Sequence, residues 1–430
     1  MANVLFLMQR LPYPLIKGEK IRNWHILNYL TKWYDVHFGC LIDDPADTQH
    51  IETVRALCKD MYTAPLDRTR AKLTCATGLL TNEPLSVTFF RDRGLRRWVE
   101  QVMTRVKPEV TFVNSSNMAP YILDLPPTGK RIVELGDVDS EKFLSYAETA
   151  SFPMNLVYRR EWRLVRRLER RVALECDHSI LVTEAEAALF RNHVPEAAHK
   201  IHGISCGVDH RYFDPAHDFP APFDPAHPTF VFTGTMDYPP NIDAAAWFAQ
   251  EILPLIRRTL PTACFQIVGG SPSDDVKRLA RLEGVMVTGR VPDVRPYVRH
   301  AVAAVAPMRI ARGIQNKVLE AMAMGKPVIV TSGALEGIDA EPGRDVVLAG
   351  GAADFAAAAI RLTRPEGAAE RLSLGAAARR LILERYDWDA CLSGFDDLMR
   401  PMIPPAVPRA VPPAGPRAGP RTGPRAGVLA

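Results

Sequence analysis

Between residues 307 and 330 the chain sets cations, glycines and one carboxylate at intervals that suit an anion: Arg309, Arg312, Gly313, Asn316, Lys317, Glu320 and Gly325. An apolar run ends at Pro307, a helical pattern runs over 314–324, and a second apolar run follows Lys326. A helix amino terminus is therefore expected just after Gly313. Its free N–H groups and the helix dipole attract negative charge, with Arg309, Arg312 and Lys317 in reach of the same group. Glu320 shares a side with Lys317 by i,i+3 spacing, so its carboxylate can accept from ribose hydroxyls while the cations meet a diphosphate. If that diphosphate departs in a reaction, cations fixed beforehand lower the barrier directly. The competing reading is an internal Lys317 to Glu320 pair on a solvated helix.

Two shorter stretches invite similar questions. Lys17 and Gly18, followed by Lys20 and Arg22, put a glycine and three cations at the start of another helical pattern, either a phosphate site or a plain turn with solvated lysines. Asp137-Val138-Asp139 has the Asp-x-Asp form that elsewhere binds a divalent ion. Here we expect no metal; Asp137 or Asp139 contacts a substrate hydroxyl or caps a helix. A third stretch has a different character. Arg159, Arg160, Arg163, Arg166, Arg167, Arg170 and Arg171 alternate with Trp162, Val165, Leu168 and Val172 at helical spacing. Such a basic amphipathic helix either lies against anionic headgroups or presents a solvated face paired with neighbouring acids.

Elements must hold these groups in place, and their order is legible. Short apolar runs at 3–8, 34–41, 109–113, 131–135 and 179–182 alternate with helical patterns such as 21–32 and 95–106. A second series has runs at 229–233, 264–268, 285–287, 301–306, 327–330 and 346–348, with helical patterns over 241–258 and 314–324. Alternation of this kind predicts parallel sheets covered by helices. Two doubly wound α/β domains are expected, 1–205 and 206–385, facing a cleft, with ligands at the carboxyl ends of the strands. The proline-rich stretch 214–228 suits a linker, 386–403 a helix packing back across the domains, and 404–430, with three Gly-Pro-Arg repeats, a disordered tail.

Composition narrows the function classes. The 430 residues are 47% hydrophobic and 24% charged, ordinary for globular domains with real cores. Setting aside the four arginines of the tail leaves 49 cations against 49 acids, so the body lacks the basic footprint of a duplex-binding protein, and no nucleic acid partner is expected. Seven scattered cysteines without Cys-x-x-Cys spacing read as reduced thiols of the cytoplasm. The apolar start at 4–8, without a basic flank, reads as a first strand rather than a signal peptide.

Residues 313–330, with Leu319-Glu320-Ala321-Met322-Ala323 before Gly325 and Pro327-Val328, resemble the signature of GT-B glycosyltransferases of family four. Thr233-Gly234-Thr235 followed by Pro240-Asn241, and Gly207-Val208-Asp209 followed by Phe213, are similar to further motifs of that family. Arg10 with Pro12-Tyr13-Pro14 and Lys17-Gly18, the run Asp43-Asp44-Pro45-Ala46-Asp47, and Asp137-Val138-Asp139-Ser140 resemble the sugar transferases associated with exosortase-linked exopolysaccharide clusters. The resemblance implies retaining transfer of a sugar from a nucleotide-diphosphate sugar to a glycan or lipid-linked acceptor, with no metal and no cofactor. It implies a catalytic set of Arg312, Lys317, Glu320 and Asp137. Donor contacts are then Lys17, Gly18, Gly234, Thr235, Arg309, Gly313, Asn316, Lys317 and Glu320, with Asp137 and Asp139 on the acceptor side. An enzyme of this kind belongs in the cytoplasm, with a peripheral place on the inner membrane face if the arginines of 159–171 meet lipid.

The chain also departs from that pattern. Arg312 stands where the family's first Glu of Glu-x7-Glu would be, and Thr235 and Pro240 replace an expected Arg and Lys. The histidine often found after a middle strand is missing from Val113-Asn114-Ser115-Ser116. Arg309, Arg312 and Lys317 are then expected to supply the cations lost. Two other readings stay open: a nucleotide-sugar epimerase on the same fold, and a sugar-binding scaffold without catalysis.

Overall fold

The computed structural model describes residues 1–15, 18–79, 81–311 and 313–399, with side chains at all of these but 76 and 77. Lys17, Arg312, the tail 404–430 and the last residues of the 386–403 segment lie outside the described residues. The chain divides into two units: Met1–Cys206 together with 391–399, and Gly207–Ala390.

The first unit is a seven-stranded sheet in the order β3-β2-β1-β4-β5-β6-β7. Its strands are β1 (Ala2–Arg10), β2 (Tyr34–Ile42), β3 (Asp60–Pro65), β4 (Val110–Asn114), β5 (Lys130–Gly136), β6 (His178–Leu181) and β7 (Ile201–Gly203), all paired in parallel. Runs such as Val4-Leu5-Phe6-Leu7-Met8 are wholly buried because helices cover both faces of a parallel sheet. The helix Arg93–Arg105 turns Leu95, Val99 and Val102 inward, and the Asp92 carboxylate caps it by accepting from the Leu95 N–H at 2.7 Å. Helices Asp139–Thr149 and Met154–Glu175 pack on each other after β5. The last described stretch is two short helices, Trp388–Leu392 and Gly394–Met399, where one helical piece was expected. Phe395 of the second is buried, edge-on to Phe112 at 5.4 Å, and Lys130 donates to the Leu398 carbonyl at 2.9 Å.

The second unit has six parallel strands in the order β10-β9-β8-β11-β12-β13. They are β8 (Thr229–Thr233), β9 (Cys264–Val268), β10 (Val285–Gly289), β11 (Ala303–Ala306), β12 (Val328–Val330) and β13 (Val347–Leu348). Phe230, Phe232, Phe265, Ile267 and Ile329 are fully buried, with Phe248 against Phe265 at 4.3 Å between ring centroids. The helical stretch expected over 241–258 is split into Pro239–Trp247, a wider turn Phe248–Ile252, and Leu253–Arg257. Pro254 supplies no N–H for a regular bond to the preceding turn.

The stretch 214–228, expected as the linker, sits inside the second unit, and the chain passes between units at Cys206 and Gly207. Prolines remove backbone donors there, so side chains of the unit hold the segment instead. Arg379 donates to the carbonyls of His210 at 2.9 Å and Phe213 at 3.0 Å and pairs with Asp214 at 3.2 Å. His300 meets the Phe219 carbonyl at 2.7 Å.

Counted from its own first strand, each unit runs 3-2-1-4-5-6, with a seventh strand added in the first. The order reverses between β1 and β4 in one and between β8 and β11 in the other. Crossovers leave in opposite directions at such a point, which opens a crevice beyond the carboxyl ends of the two strands.

Candidate active site

In the second unit, loops from β8, β9, β11 and β12 are knitted together at that edge. Gly234 follows β8, and its N–H donates to the Val268 carbonyl at 3.1 Å. A Cβ on Gly269, at the end of β9, would fall 1.6 Å from the Gly234 carbonyl oxygen, so only glycine allows this approach. Asn241, buried at the start of the next helix, donates to the Thr235 carbonyl at 2.9 Å and leaves the Thr235 side chain exposed. Beyond β11, the Thr331 hydroxyl after β12 donates to the Met308 carbonyl at 2.7 Å. Gly313 takes φ +65, a left-handed turn that favours glycine, and the helix Asn316–Ala323 follows it, its cap residue Gln315 making no side-chain capping bond among the described residues.

Lys317 lies one residue into this helix. Its ammonium sits 5.4 Å from the Phe232 ring centroid, which carries it back over β8 beside the reversal point, and it donates to Gln315 Oε1 at 3.0 Å. Burial pushes the ammonium down to about 8, with Glu320 working in the opposite direction. Arg309 is exposed at the end of β11 and is gripped by Asp243, Nε to Oδ2 at 3.0 Å, above the Trp247 ring at 5.4 Å. Gly234, Thr235, Arg309, Gly313, Asn316, Lys317 and Glu320 therefore occupy one edge of one sheet. Sequence reasoning missed Asp243, which restrains Arg309, and the pair Gly269-Gly270. Two adjacent glycines directly after an apolar run were the signal for the latter.

In the first unit the cations after β1 are arranged otherwise than expected. Gly18 opens the helix Gly18–Trp33 and is exposed, but Lys20 and Arg22 point into the protein. Lys20 pairs with Asp47 at 2.5 Å, both nearly fully buried. Arg22 is buried against Glu134 of β5 and donates to the carbonyls of Ser205 at 2.8 Å and Ile204 at 2.9 Å. Two of the three cations expected to draw a phosphate are thus already neutralised. Arg10 pairs with Glu19 at 2.9 Å and Asp43 at 2.8 Å. The acids of the Asp43 to Asp47 run serve this unit's own cations, apart from Asp44, which accepts from the Ala46 N–H at 3.0 Å.

Asp137 and Asp139 follow β5 and are half-buried. Neither is the helix cap: that place belongs to Val138, whose side chain makes no capping bond. Asp139 lies in the first turn and pairs with Lys142 at 2.9 Å, and the charge of Asp137 also reaches Lys142. The first unit also has a cavity of about 440 Å³ walled by Arg91, Arg93, Arg96, Arg97, Asn117 and Tyr121 with the acids Glu83, Asp92 and Asp124; Arg91 pairs with Glu83 at 2.5 Å and Arg96 with Glu100 at 2.8 Å. Asn117 follows β4 and accepts from Gln9 at 2.8 Å, which sets this cavity beside the reversal point of the first sheet. Its arginines were not singled out from the sequence, being scattered over one helix and the turn before it.

Of the arginines in 159–171, Arg160 pairs with Glu161, Arg170 with Glu196 and Arg171 with Asp124 at 3.0 Å and Glu175 at 2.9 Å. Arg159, Arg163 and Arg167 are exposed and make no ion pair among the described residues. None of the helices described is long and apolar enough to cross a membrane.

Residues 227–364 match the family model described as glycosyl transferases group 1. No curated protein matches the chain in sequence. Among solved structures, sucrose-phosphate synthase from Thermosynechococcus elongatus is 18% identical with a TM-score of 0.65, over 93% of this chain and 98% of that one. The Anabaena protein HepE, solved in complex with UDP, is 14% identical with a TM-score of 0.60, over 92% of this chain and 99% of that one. TarM of S. aureus, solved as a mutant with Fondaparinux, alpha-GlcNAc-glycerol and UDP, is 12% identical with a TM-score of 0.62, over 93% of this chain and 100% of that one. Residues 227–364 of the second unit are thus similar to the group 1 glycosyl transferases, and the chain has the two-unit parallel-sheet fold, GT-B, of these solved structures.

Proposed function

We propose that the protein transfers a sugar from a nucleotide-diphosphate sugar to a glycan or lipid-linked acceptor in exopolysaccharide synthesis, with retention, the diphosphate being met by side-chain cations rather than a metal. One observation carries this: Lys317, half-buried and poorly hydrated, stands beside a helix start without a side-chain cap among the described residues, at the point where the second sheet reverses. An ammonium pushed down to about 8 by burial is stabilised when a diphosphate arrives. Charge gathering on the leaving diphosphate strengthens that contact as the anomeric bond breaks, which makes it a transition-state interaction. In this reading Arg309 and Arg312 add positive charge, Glu320 holds the ribose, and Gly234, Thr235, Gly313 and Asn316 line the donor. Lys17 and Gly18 complete the proposed donor contacts.

In this reading the acceptor binds the first unit, with Asp137 and Asp139 as hydroxyl contacts. Arg93 and Arg97, exposed in the wall of the cavity beside β4 and without an ion pair among the described residues, suit an acceptor bearing phosphate. The exopolysaccharide role rests on the motif likeness at Arg10 to Gly18, Asp43 to Asp47 and Asp137 to Ser140. Free thiols at all seven cysteines agree with a cytoplasmic setting. The test is incubation with UDP, GDP, TDP and ADP sugars, measuring nucleotide release with and without lipid-linked acceptor. Acceptor-stimulated release is the expected result. Isomerisation of the free donor would replace this reading with an epimerase, and binding without turnover with a scaffold.

A further inference from the structure

The helix Met154–Glu175 has 22 residues, a length of about 33 Å. Leu164, Val165, Leu168 and Val172 are buried on one side. At 100° per residue, Leu156, Arg159, Arg163, Arg167 and Arg170 fall on the opposite side within an arc of roughly 80°. All five are exposed, Leu156 at 54%. Three of these arginines lack an ion pair among the described residues, as noted above. The turn leading into the helix exposes Phe152 at 77% and Met154 at 45%, and Tyr146 before it is 46% exposed, 5.5 Å from the Tyr158 ring. Large apolar side chains gathered in water at the tip of a basic helix mark an interaction surface.

We propose that this helix lies along an anionic lipid bilayer, with its arginine face on the headgroups and Phe152 and Leu156 in the headgroup to acyl boundary. The combination of exposed apolar tip and uncompensated arginines selects that occupant. Apolar residues alone would fit any greasy partner, and arginines alone any acid, but an acidic surface with hydrocarbon beneath it satisfies both at once. A second copy of the same face would set arginine against arginine. The helix rests on the bilayer and does not cross it. Each cation near such a surface adds about 1 kcal/mol, a factor of about five in partitioning.

The test uses the full chain, without donor or acceptor, so that its outcome is independent of the transferase reading. The chain is sedimented with vesicles of phosphatidylcholine containing about one third phosphatidylglycerol, and with phosphatidylcholine alone. Binding to the anionic vesicles only is expected. Replacing Arg159, Arg163 and Arg167 together by Ala lowers the partition coefficient by roughly 100-fold. Phe152→Ser with Leu156→Ser weakens the binding that persists at high salt, and both variants keep the wild-type thermal melt and donor titration. Absence of binding to anionic vesicles overturns the proposal. Binding unchanged in both variants also overturns it by placing the contact elsewhere in the chain. A dimer in vesicle-free buffer that the triple variant returns to monomer would give this face to a second copy instead.

Discussion

Replacing Lys317 by Met separates a residue kept for ligand from one kept for folding. The side chain volume is nearly preserved, while a half-buried ammonium, pushed down to about 8, disappears. An unfolded lysine titrates near 10.4, so between about 8 and 10.4 the folded state binds fewer protons than the unfolded one. Wild-type stability therefore rises with pH across that window, and at neutral pH the ammonium is a burden on folding. After discounting for its partial exposure, the burden is about 1–2 kcal/mol. The Met variant should melt about 2–4 °C higher. Affinity moves the other way. Losing a charge-assisted contact to the diphosphate removes about 1.5–3 kcal/mol, or roughly a 10- to 150-fold rise in Kd. The assay is calorimetric titration of the tightest-binding nucleoside diphosphate from about pH 7 to 9.5, beside thermal melts. Wild-type Kd should be flat below about pH 8 and climb above it, because the proton must then be taken up on binding. Lys317→Arg should bind without that climb, and Lys317→Met weakly and without it. Equal affinity and an unchanged pH slope in the Met variant would falsify the assignment of Lys317 to the diphosphate.

Glu320→Gln removes the charge that holds the Lys317 ammonium up, so the rise in Kd should begin at lower pH, by up to about one unit in the same titration. Arg22→Ala strands the Glu134 carboxylate, buried in the first sheet, without its guanidinium. Urea unfolding should show a loss of about 3–5 kcal/mol, most of it recovered by Arg22→Met with Glu134→Leu. Glu169, buried and pushed up to about 8 mainly by loss of hydration, accepts from the Ser140 N–H at 3.1 Å. Its folded pKa exceeds the unfolded value near 4.3, so its contribution is complete below about pH 4.3 and is lost as pH rises toward 8. Glu169→Gln should flatten that decline in melts taken across the window, and an unaltered slope would remove Glu169 as its source.

How far the fold could be read depended on where each strand lies in its sheet. Central strands are buried on both faces and announce themselves as apolar runs: β1, β4, β8 and β9 were all legible. Both strands overlooked lie at the edges of the first sheet. Asp60–Pro65 has exposed ends and a terminal proline, and Ile201–Gly203 is only three residues long. Edge strands bury little and so carry little pattern.

The candidate site was legible to the extent that its groups are close in sequence. Gly313, Asn316, Lys317 and Glu320 sit on one short segment, where helical spacing settles which side chains share a face. Ion pairs across long stretches of chain leave no such trace. Lys20 and Asp47 are 27 residues apart, Arg309 and Asp243 66, Arg22 and Glu134 112. Before folding, Lys20 and Lys317 look alike, each a lysine beside a glycine-led helix start. The fold gives Lys20 a buried carboxylate within 2.5 Å, while Lys317 has, among the described residues, the neutral Gln315 amide at hydrogen-bond distance and no acid in an ion pair, with Glu320 as electrostatic support. A buried cation matched by an acid needs nothing further. One lacking a close acid keeps a desolvation cost that an arriving diphosphate removes, and that difference in local charge balance is the reason the proposed donor site is drawn at the second unit's helix start rather than at the first's.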